Sequence, residues 1–373
     1  MSAPRAVTGP PGHHFFGYYE KSPWNGDETA LLSHRTDFQD RRPTPDDAAT
    51  ICLIDDATHE VTELASTHAW DFQQGSMLQW LGPTFDREVI FNDRGEEGFY
   101  ARIVDIETGD DRALEAPIYA PTPDGTAAYT LDYDRLDVTR PGYGYASPGA
   151  ERTIDPHPDD EGVYRVDVEH DVVSLLVSLA ELASFDRAPS MDDGLHWVNH
   201  LQISPTGQRV AFIHRSETAD DRRWLDRLFV TDETGDLQLL HNGLVSHYDW
   251  RTDEELLAWT DHDGPGFYRY DIDGSVDPVG HGVLPRDGHC SFSPDGEWLL
   301  LDSSPDRCRH RGLFRYRWPD GPLECLAAVH SPATSRSSLR CDLHPRWDRT
   351  GRRICFDSTH GSGRQLYDLR LLD

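Results

Sequence analysis

Lysine is almost absent from this sequence. Lys21 is the only lysine among 35 basic residues, against 66 acidic residues, and the formal net charge at pH 7 is −31. Such a charge keeps a chain soluble and repels nucleic acid and anionic membranes, so we expect neither as a partner. Acidic, lysine-poor surfaces are typical of intracellular proteins from salt-loving organisms, where dissolved salt screens the self-repulsion. The composition therefore predicts a halophilic protein, and we assign the net charge no role in the chemistry of the functional site.

Long apolar runs and cysteine motifs are also missing. No apolar stretch approaches the roughly 20 residues that span a bilayer. Residues 1–11 contain neither the charged nor the apolar region of a secretory signal, so we expect a cytoplasmic protein. The six cysteines show no CxxC spacing, which argues against a zinc or redox motif. We expect free cysteines buried in strands.

One phrase recurs seven times along the chain: a tight turn, five or six apolar-rich residues, and a polar stop. The clearest copy is SPDG at 293–296 followed by EWLLLDSS, and close relatives begin at 204 and 348. Weaker copies begin at positions 23, 83, 122 and 251. Proline presets the first turn position, and Asp-Gly supplies the bend and the positive φ. The apolar runs are too short for stable helices and are typical of strands.

The spacing of these copies predicts the fold. Four short strands in every roughly 40–60 residues is the period of a propeller blade. We therefore predict an all-β, seven-bladed β-propeller that spans 1–373 as a single domain, with a long insertion loop around 134–162. Two separate domains are the alternative, but no linker interrupts the repeat. Only one clear strand, at 364–372, follows the last copy, so the N-terminal segment is expected to complete the last blade.

Histidines recur at one register of the repeat. The residue four places before the turn is histidine in the last four blades, and the first two blades have Tyr19 and Gln79 there. The four are His200, His247, His289 and His344. In a propeller this stretch opens the innermost strand, beside the channel. An inner ring of imidazoles suits an anion or metal site, although such histidines can simply hydrogen-bond water or loops.

The second strand of each blade should return to the same face. The last residues of these second strands include several arginines and histidines. Together with Gln79 from the inner register, we take them as candidate substrate-binding groups around the inner ring. They are Arg35, Arg94, His214 and His262. Guanidinium and imidazole groups are suited to an acidic ligand.

Three phrases resemble the oligogalacturonate lyases: NHLQISPTG at 199–207, GHCSFSPDGEWLLLDSSPD at 288–306, and LHPRWDRTGRRICFDSTHGSGRQLYDL at 343–369. The similarity is good over 199–373 and weak before it. The resemblance implies a cytoplasmic seven-bladed propeller that cleaves short uronic-acid-containing oligosaccharides by β-elimination. Similar phrases also occur in non-enzymatic propellers of the Tol-associated kind.

The resemblance also implies metal ligands. His289 and His344 match residues that bind a manganese-type ion, with zinc or iron as alternatives. Just upstream of the last histidine the family has a glutamine and a histidine, where this chain has Leu339 and Asp342. A carboxylate suits a hard divalent ion, so Asp342 could replace the missing histidine. The register adds His247 as a further candidate ligand.

The catalytic roles follow in the same way. His200 matches the family's proposed base, and Arg165 is the nearest match to its catalytic arginine, with Arg215 as a rival. β-Elimination requires a neutralised carboxylate, a base near neutral pKa, and a group that tolerates or protonates the departing oxygen. Tyr19, Tyr18 or water are the candidates for the last role.

Two other functions remain open. One is a non-catalytic glycan- or protein-binding propeller, since this fold hosts many functions. The other is a glycoside hydrolase with paired carboxylates, for which Asp302 and Asp306 are available. The phrase HHFFGYYEKSPW at 13–24 lies outside the family pattern, so its role and the sugar remain undetermined. The lyase is the favoured interpretation.

Overall fold

The computed structural model describes residues 3–149, 154–187, 191, 194–217, 224–284, 286–334 and 337–371. Within these ranges, 28 strands form seven four-stranded antiparallel sheets, which confirms the all-β, seven-bladed propeller. The strands are β1 (Arg5–Ala6), β2 (His13–Phe15), β3 (Ala30–Thr36), β4 (Ala49–Asp55), β5 (Val61–Thr67), β6 (Gln79–Trp80), β7 (Glu88–Arg94), β8 (Phe99–Asp105), β9 (Asp111–Leu114), β10 (Ala120–Pro121), β11 (Ala127–Thr130), β12 (Gly162–Asp167), β13 (Val172–Ser178), β14 (His196–Ile203), β15 (Arg209–Glu217), β16 (Trp224–Asp232), β17 (Leu237–Asn242), β18 (Val245–Trp250), β19 (Glu255–Thr260), β20 (Gly266–Asp271), β21 (Val276–Val279), β22 (Cys290–Phe292), β23 (Trp298–Asp302), β24 (His310–Arg317), β25 (Leu323–His330), β26 (Arg346–Trp347), β27 (Arg353–Gly361) and β28 (Gly363–Arg370).

The blades follow the order of the chain. From the channel outwards, blades 1 to 6 are β2–β5, β6–β9, β10–β13, β14–β17, β18–β21 and β22–β25. Blade 7 combines β26–β28 with β1 from the other end of the chain. Arg5 pairs with Asp368 and Ala6 with Tyr367, so the N-terminal strand covers the edge of β28. An edge that is paired in this way is unavailable to other chains.

The repeated turn closes the inner hairpin of a blade. In blade 6, the Ser293 hydroxyl donates to Asp295 at 2.6 Å and accepts the Trp298 N–H at 3.0 Å. Gly296 has a φ of 68° and donates its N–H to the Ser293 carbonyl at 2.8 Å. These bonds fix where β22 ends and β23 begins, and so fix the register of the hairpin.

Tryptophans near the ends of three inner strands join neighbouring blades. Each donates its indole N–H to a backbone carbonyl of the preceding blade. The pairs are Trp80 with Pro23 (2.8 Å), Trp250 with Gln202 (3.1 Å) and Trp347 with Ser291 (3.1 Å). The rings also fill the apolar layers between blades, so burial and hydrogen bonding both hold adjacent sheets together.

The long insertion begins where the sequence predicts it, between β11 and β12, but it is not irregular throughout. It contains the helix α1 (Tyr133–Thr139), which begins at Asp132, whose side chain accepts the Arg135 N–H. Arg135 is buried and bonds Glu161 at 2.5 Å. A second short helix, α2 (Leu179–Ser184), follows β13. Both helices pack against β14 of blade 4, so the insertion is anchored to the blade that carries His200.

All six cysteines are free, but only four are buried. Cys308 and Cys325 are exposed, because they lie in the turn before β24 and on an outward position of the edge strand β25. The expectation of six buried cysteines was therefore wrong for these two. In the described part of the chain, no helix has the length and apolar character needed to cross a membrane.

Candidate functional site

Part of the N-terminal phrase leaves its blade and enters the channel. Strand β2 ends at Phe15, and pairing with β3 resumes only at the isolated bridge of Trp24 with Leu31. The turn into the channel occurs at Gly17, whose φ is 140° and where a Cβ would lie 2.7 Å from the Gln74 carbonyl oxygen. Only glycine fits this approach. The segment 16–23, here called the channel loop, carries two tyrosines toward the histidines.

Three of the four histidines surround one tyrosine. The Tyr18 ring stacks on His200 with centroids 4.9 Å apart, and it meets His344 and His289 at 4.9 and 5.7 Å. His200 and His344 have positive φ values of 55° and 41°. Such values are uncommon outside glycine and mark backbone that its surroundings constrain. The histidine register therefore converges on the channel axis, with Tyr18 at its centre.

Two of these histidines present a bare nitrogen to the same space. His289 Nδ1 lies 3.0 Å from both Asp302 carboxylate oxygens, and His344 Nδ1 lies 2.8 Å from the Gly17 carbonyl oxygen. A hydrogen bond at Nδ1 fixes the ring and its tautomer, and leaves Nε2 for a metal. Both Nε2 atoms are buried and have no hydrogen-bond partner. The two ring centroids are 4.4 Å apart.

Asp342 completes a candidate metal site. One ligand atom each from His289, Asp342 and His344 lie within 4.8 Å of one another. The Asp342 carboxylate also pairs with Arg311, at 2.6 Å, and with Arg340. An ionised carboxylate has about four acceptor positions, so two guanidinium contacts leave capacity for a metal. Two imidazoles and a carboxylate fit a divalent ion of the Mn, Fe or Zn type.

Leu339 and His247 lie outside this group. Leu339 packs with Phe15, Trp70 and Phe72 in an apolar cluster, so the family's glutamine has no polar substitute there. The His247 ring is 4.1 Å from the His289 ring, and its Nδ1 lies 2.9 Å from Asp287. His247 thus joins the histidine ring without entering the group of three.

His200 is a neutral imidazole with a free nitrogen. Its Nδ1 is buried without a hydrogen-bond partner. Burial lowers the pKa of His200 well below its usual value, and the charge of Arg140 lowers it further. Tyr143 approaches its ring edge-on, with centroids 5.7 Å apart. A neutral, uncommitted imidazole can accept a proton.

The structure does not bring the other predicted catalytic groups to this nitrogen. The Tyr19 hydroxyl donates to the Tyr248 carbonyl at 2.8 Å and accepts the Tyr248 N–H at 3.1 Å. Arg215 bonds Asp226 at 2.8 Å and Asn199 at 3.0 Å. Arg165 lies beside Tyr129, with Asp232 and Glu233, in the outer part of blade 3. Tyr19 contacts His247 and His289, but the polar atoms of both Tyr19 and Arg215 are already used in these hydrogen bonds.

Four of the predicted substrate-binding groups are engaged elsewhere in the protein. Arg35, Arg94 and His214 lie on the second strands of their blades, one strand farther from the axis, whereas Gln79 lies on the innermost strand β6. Their partners lie within the protein. Arg35 bonds Glu63 (2.7 Å), Arg94 bonds the Pro45 and Ala146 carbonyls (2.6 and 3.1 Å), His214 bonds His196 (2.9 Å) and Arg227, and Gln79 bonds the Met77 and Tyr119 carbonyls (2.9 and 3.1 Å). His262 is exposed and lies 6.1 Å from His241, between ring centroids. None of these contacts involves the histidine ring.

The sequence did not indicate the arginines that do reach the site. Arg140, at the end of α1, lies 4.0 Å above the Tyr143 ring, and its Nη1 is buried without a partner. Arg340 donates to the Tyr143 hydroxyl at 2.9 Å as well as to Asp342. Arg140 lies in an insertion without a repeat, so no register could have placed it. The proximity of Arg340 to the last histidine phrase was the only available signal.

Comparisons with known proteins agree with this architecture. The oligogalacturonate lyase from Vibrio parahaemolyticus is 13% identical, with a TM-score of 0.68, covering 99% of this chain and 93% of that chain. An oligogalacturonate lyase in complex with manganese is 15% identical over the same shares, with a TM-score of 0.69. The fold resembles that of oligogalacturonate lyase. The β-propeller domain of the Trilobed protease from Pyrococcus furiosus is 10% identical, with a TM-score of 0.55, over 96% and 99% of the two chains.

No protein-family model matches the chain, and no curated protein matches it. At identities of 10–15%, the structural similarity shows the fold alone. Chemistry has to be argued from the side chains of this molecule.

Proposed function

We propose that this protein is a metal-dependent lyase that cleaves short uronic-acid-containing oligosaccharides by β-elimination. The observation that carries the proposal is the group of three buried imidazole nitrogens without partners, from His200, His289 and His344, around Tyr18. Leaving such polar atoms unpaired costs free energy unless a ligand satisfies them. The manganese complex of a similarly folded oligogalacturonate lyase supports a metal of that type.

His289, His344 and Asp342 would hold the ion. A divalent metal bound there would supply Lewis acidity toward the uronate carboxylate. Asp302 holds the His289 ring and the Gly17 carbonyl holds the His344 ring, so neither ligand has to reorient when the metal enters. Preorganised ligands of this kind raise metal affinity.

His200 would take the proton from C5 of the sugar. Its lowered pKa keeps the imidazole neutral at working pH, and a neutral imidazole is the form that accepts a proton. The ring is fixed by its stacking on Tyr18 and by the edge contact from Tyr143. Positioning of this kind contributes to rate because the base does not have to search for its geometry.

Arg140 would bind the substrate carboxylate. Its bare Nη1 is the feature that Arg165 and Arg215 lack, since Arg215 already bonds Asp226 and Arg165 lies in the outer part of blade 3. A guanidinium–carboxylate bond is charge-assisted and stronger than a neutral hydrogen bond. We therefore assign to Arg140 the role for which the sequence indicates Arg165 or Arg215.

The site is covered in this structure. His200 is 7% exposed, and Tyr143 lies over it while its hydroxyl accepts a hydrogen bond from Arg340. A substrate would have to displace part of this covering to reach His200, and Tyr143 is one of the side chains in contact with its ring.

The carboxylates of the site do not form a glycosidase pair. Burial acts to raise the pKa of Asp302, but the charge and hydrogen bond of His289 hold it below its usual range. Asp302 therefore supports a histidine, and Asp306 accepts backbone N–H groups of Cys308 and His310 in an exposed turn. Asp302 and Asp306 therefore do not offer the acid–base pair that glycoside hydrolysis needs.

The proposed function is tested by measuring the turnover of the His200→Ala variant. Metal-loaded protein would be incubated with short uronides, and the unsaturated product followed by its ultraviolet absorbance. We expect a loss of about 10²–10⁴-fold, the usual contribution of a general base, with metal content unchanged. His262→Ala, an exposed histidine away from the ring, is the matched control and should retain full activity. Retained turnover in His200→Ala would show that His200 is not the base. A wild type that cleaves no uronide would favour the non-catalytic binding propeller.

A further inference from the structure

We propose that Tyr18 protonates the departing glycosidic oxygen from the same side of the sugar as His200. The elimination is then syn, and the substrates are uronosyl residues whose C4–O bond is equatorial, as in gluco- and manno-configured uronates. This inference rests on the proposed lyase function and narrows its substrate class.

The position of the Tyr18 ring supports this role. It contacts the rings of His200, His289 and His344, and each of these histidines has a buried nitrogen without a hydrogen-bond partner. A uronate bound to those nitrogens would therefore lie close to Tyr18. The neighbouring Tyr19 cannot play this part without breaking two hydrogen bonds to the Tyr248 backbone. Of the two tyrosines of the channel loop, Tyr18 is therefore the one that remains for proton donation.

The rings of His200 and Tyr18 are also in direct contact. His200 and Tyr18 stack with centroids 4.9 Å apart and planes inclined by 18°. A pyranose ring does not fit between two stacked rings at this separation, since van der Waals contact already fills it. Base and acid must therefore address the sugar from one side. An anti elimination requires them on opposite faces of the sugar.

The stereochemistry of the sugar then decides the substrate. In the usual chair of a D-uronate, the C5 hydrogen is axial. In galacturonate, C4–O is axial on the opposite face, so the two leave in anti fashion. In glucuronate and mannuronate, C4–O is equatorial and lies on the same side as the C5 hydrogen. A base and acid that share one face match these two sugars.

The protons of the reaction balance. His200 Nδ1 accepts the C5 proton, and the C5–H electron pair becomes the C4–C5 double bond as the C4–O bond breaks. The departing oxygen takes the Tyr18 proton. After the products leave, the imidazolium gives its proton to water and the phenolate takes one from water, which restores both groups. The reaction moves one proton from carbon to oxygen and needs no further reactant.

The first experiment compares configurations. Metal-loaded wild-type protein is offered short oligosaccharides with glucuronate, mannuronate or galacturonate at the cleaved position, and kcat/KM is measured for each. We expect a preference on the order of 10²-fold or more for gluco- or manno-configured uronates, since a misplaced acid forfeits its catalytic contribution. Preferred cleavage of galacturonides would overturn this inference while leaving the lyase intact. No cleavage of any uronide would overturn the proposed function itself.

The second experiment tests Tyr18 directly. Tyr18→Phe is assayed on a uronide whose C4 substituent is a sugar and on one whose C4 substituent is a nitrophenol, which departs without protonation. We expect kcat/KM to fall about 10²–10⁴-fold for the sugar and little for the nitrophenol. Equal losses on both substrates would assign Tyr18 a structural role and overturn the inference. Tyr19→Phe is the matched control, because any effect there should be equal on both substrates.

Discussion

Removing the charge behind His289 should weaken metal binding without touching a ligand. Both Asp302 oxygens lie 3.0 Å from His289 Nδ1, and one also accepts the His289 N–H at 2.9 Å. Asp302→Asn keeps the shape and one acceptor oxygen but replaces the other oxygen with an NH₂ donor. The imidazole therefore loses the negative charge that raises its basicity. Loss of such a supporting carboxylate lowers metal affinity about 10–100-fold.

The assay is calorimetric titration of metal-free protein with Mn²⁺, and separately with Zn²⁺. Asp287→Asn is the matched control, because Asp287 supports His247 in the same way but His247 lies outside the group of three. We expect the large loss of affinity in Asp302→Asn alone. Unchanged affinity there, or an equal loss in both variants, would refute the assignment of His289 as a ligand and His247 as a bystander.

Three further predictions concern the fold. Burial lowers the folded-state pKa of His34 from 6.5 to about 4, so its contribution to stability is complete above pH 6.5 and is lost as pH falls toward 4. Between pH 7 and pH 4, the free energy of unfolding measured in urea should fall by on the order of 3 kcal/mol less in His34→Gln than in the wild type. The same pH dependence in both proteins would contradict this. Gly75→Ala should destabilise by about 2–4 kcal/mol in the same assay, because φ is 64° and a Cβ would lie 2.3 Å from the His34 ring. Gly109→Ala, with φ of 75° and open space, should lose only the backbone part, about 1–2 kcal/mol, and equal losses would refute the steric argument. The melting temperature should rise between about 0.1 and 3 M KCl as salt screens the charge of −31, whereas a flat curve would contradict a halophilic adaptation.

The fold was predictable because the repeated turn is a local signal. Ser-Pro-Asp-Gly and its variants close hairpins through bonds within a few residues, so seven copies predict seven blades. The histidines were predictable for the same reason. They precede equivalent turns, and equivalent positions in a propeller converge on the channel.

The remainder of the site depends on departures from the repeat. The channel loop turns at Gly17, and Tyr18, which the register does not mark, stacks on His200. Tyr19, which the register does mark, contacts His247 and His289, but its hydroxyl is bonded to the Tyr248 backbone. Arg140 comes from an insertion that no other blade has. The register predicts only the face of the propeller on which a side chain lies. It does not predict the distance from the axis, and Arg35 and Arg94 lie one strand too far out.

The most direct test of the account is the mass of the products formed from short uronides by metal-loaded protein. Elimination conserves the mass of the substrate across its two products and leaves one of them unsaturated, whereas hydrolysis adds one water. We expect unsaturated products that disappear when the metal is removed and return when Mn²⁺ is restored. Products carrying an added water, or intact substrate after exposure to every uronide in the presence of metal, would contradict it.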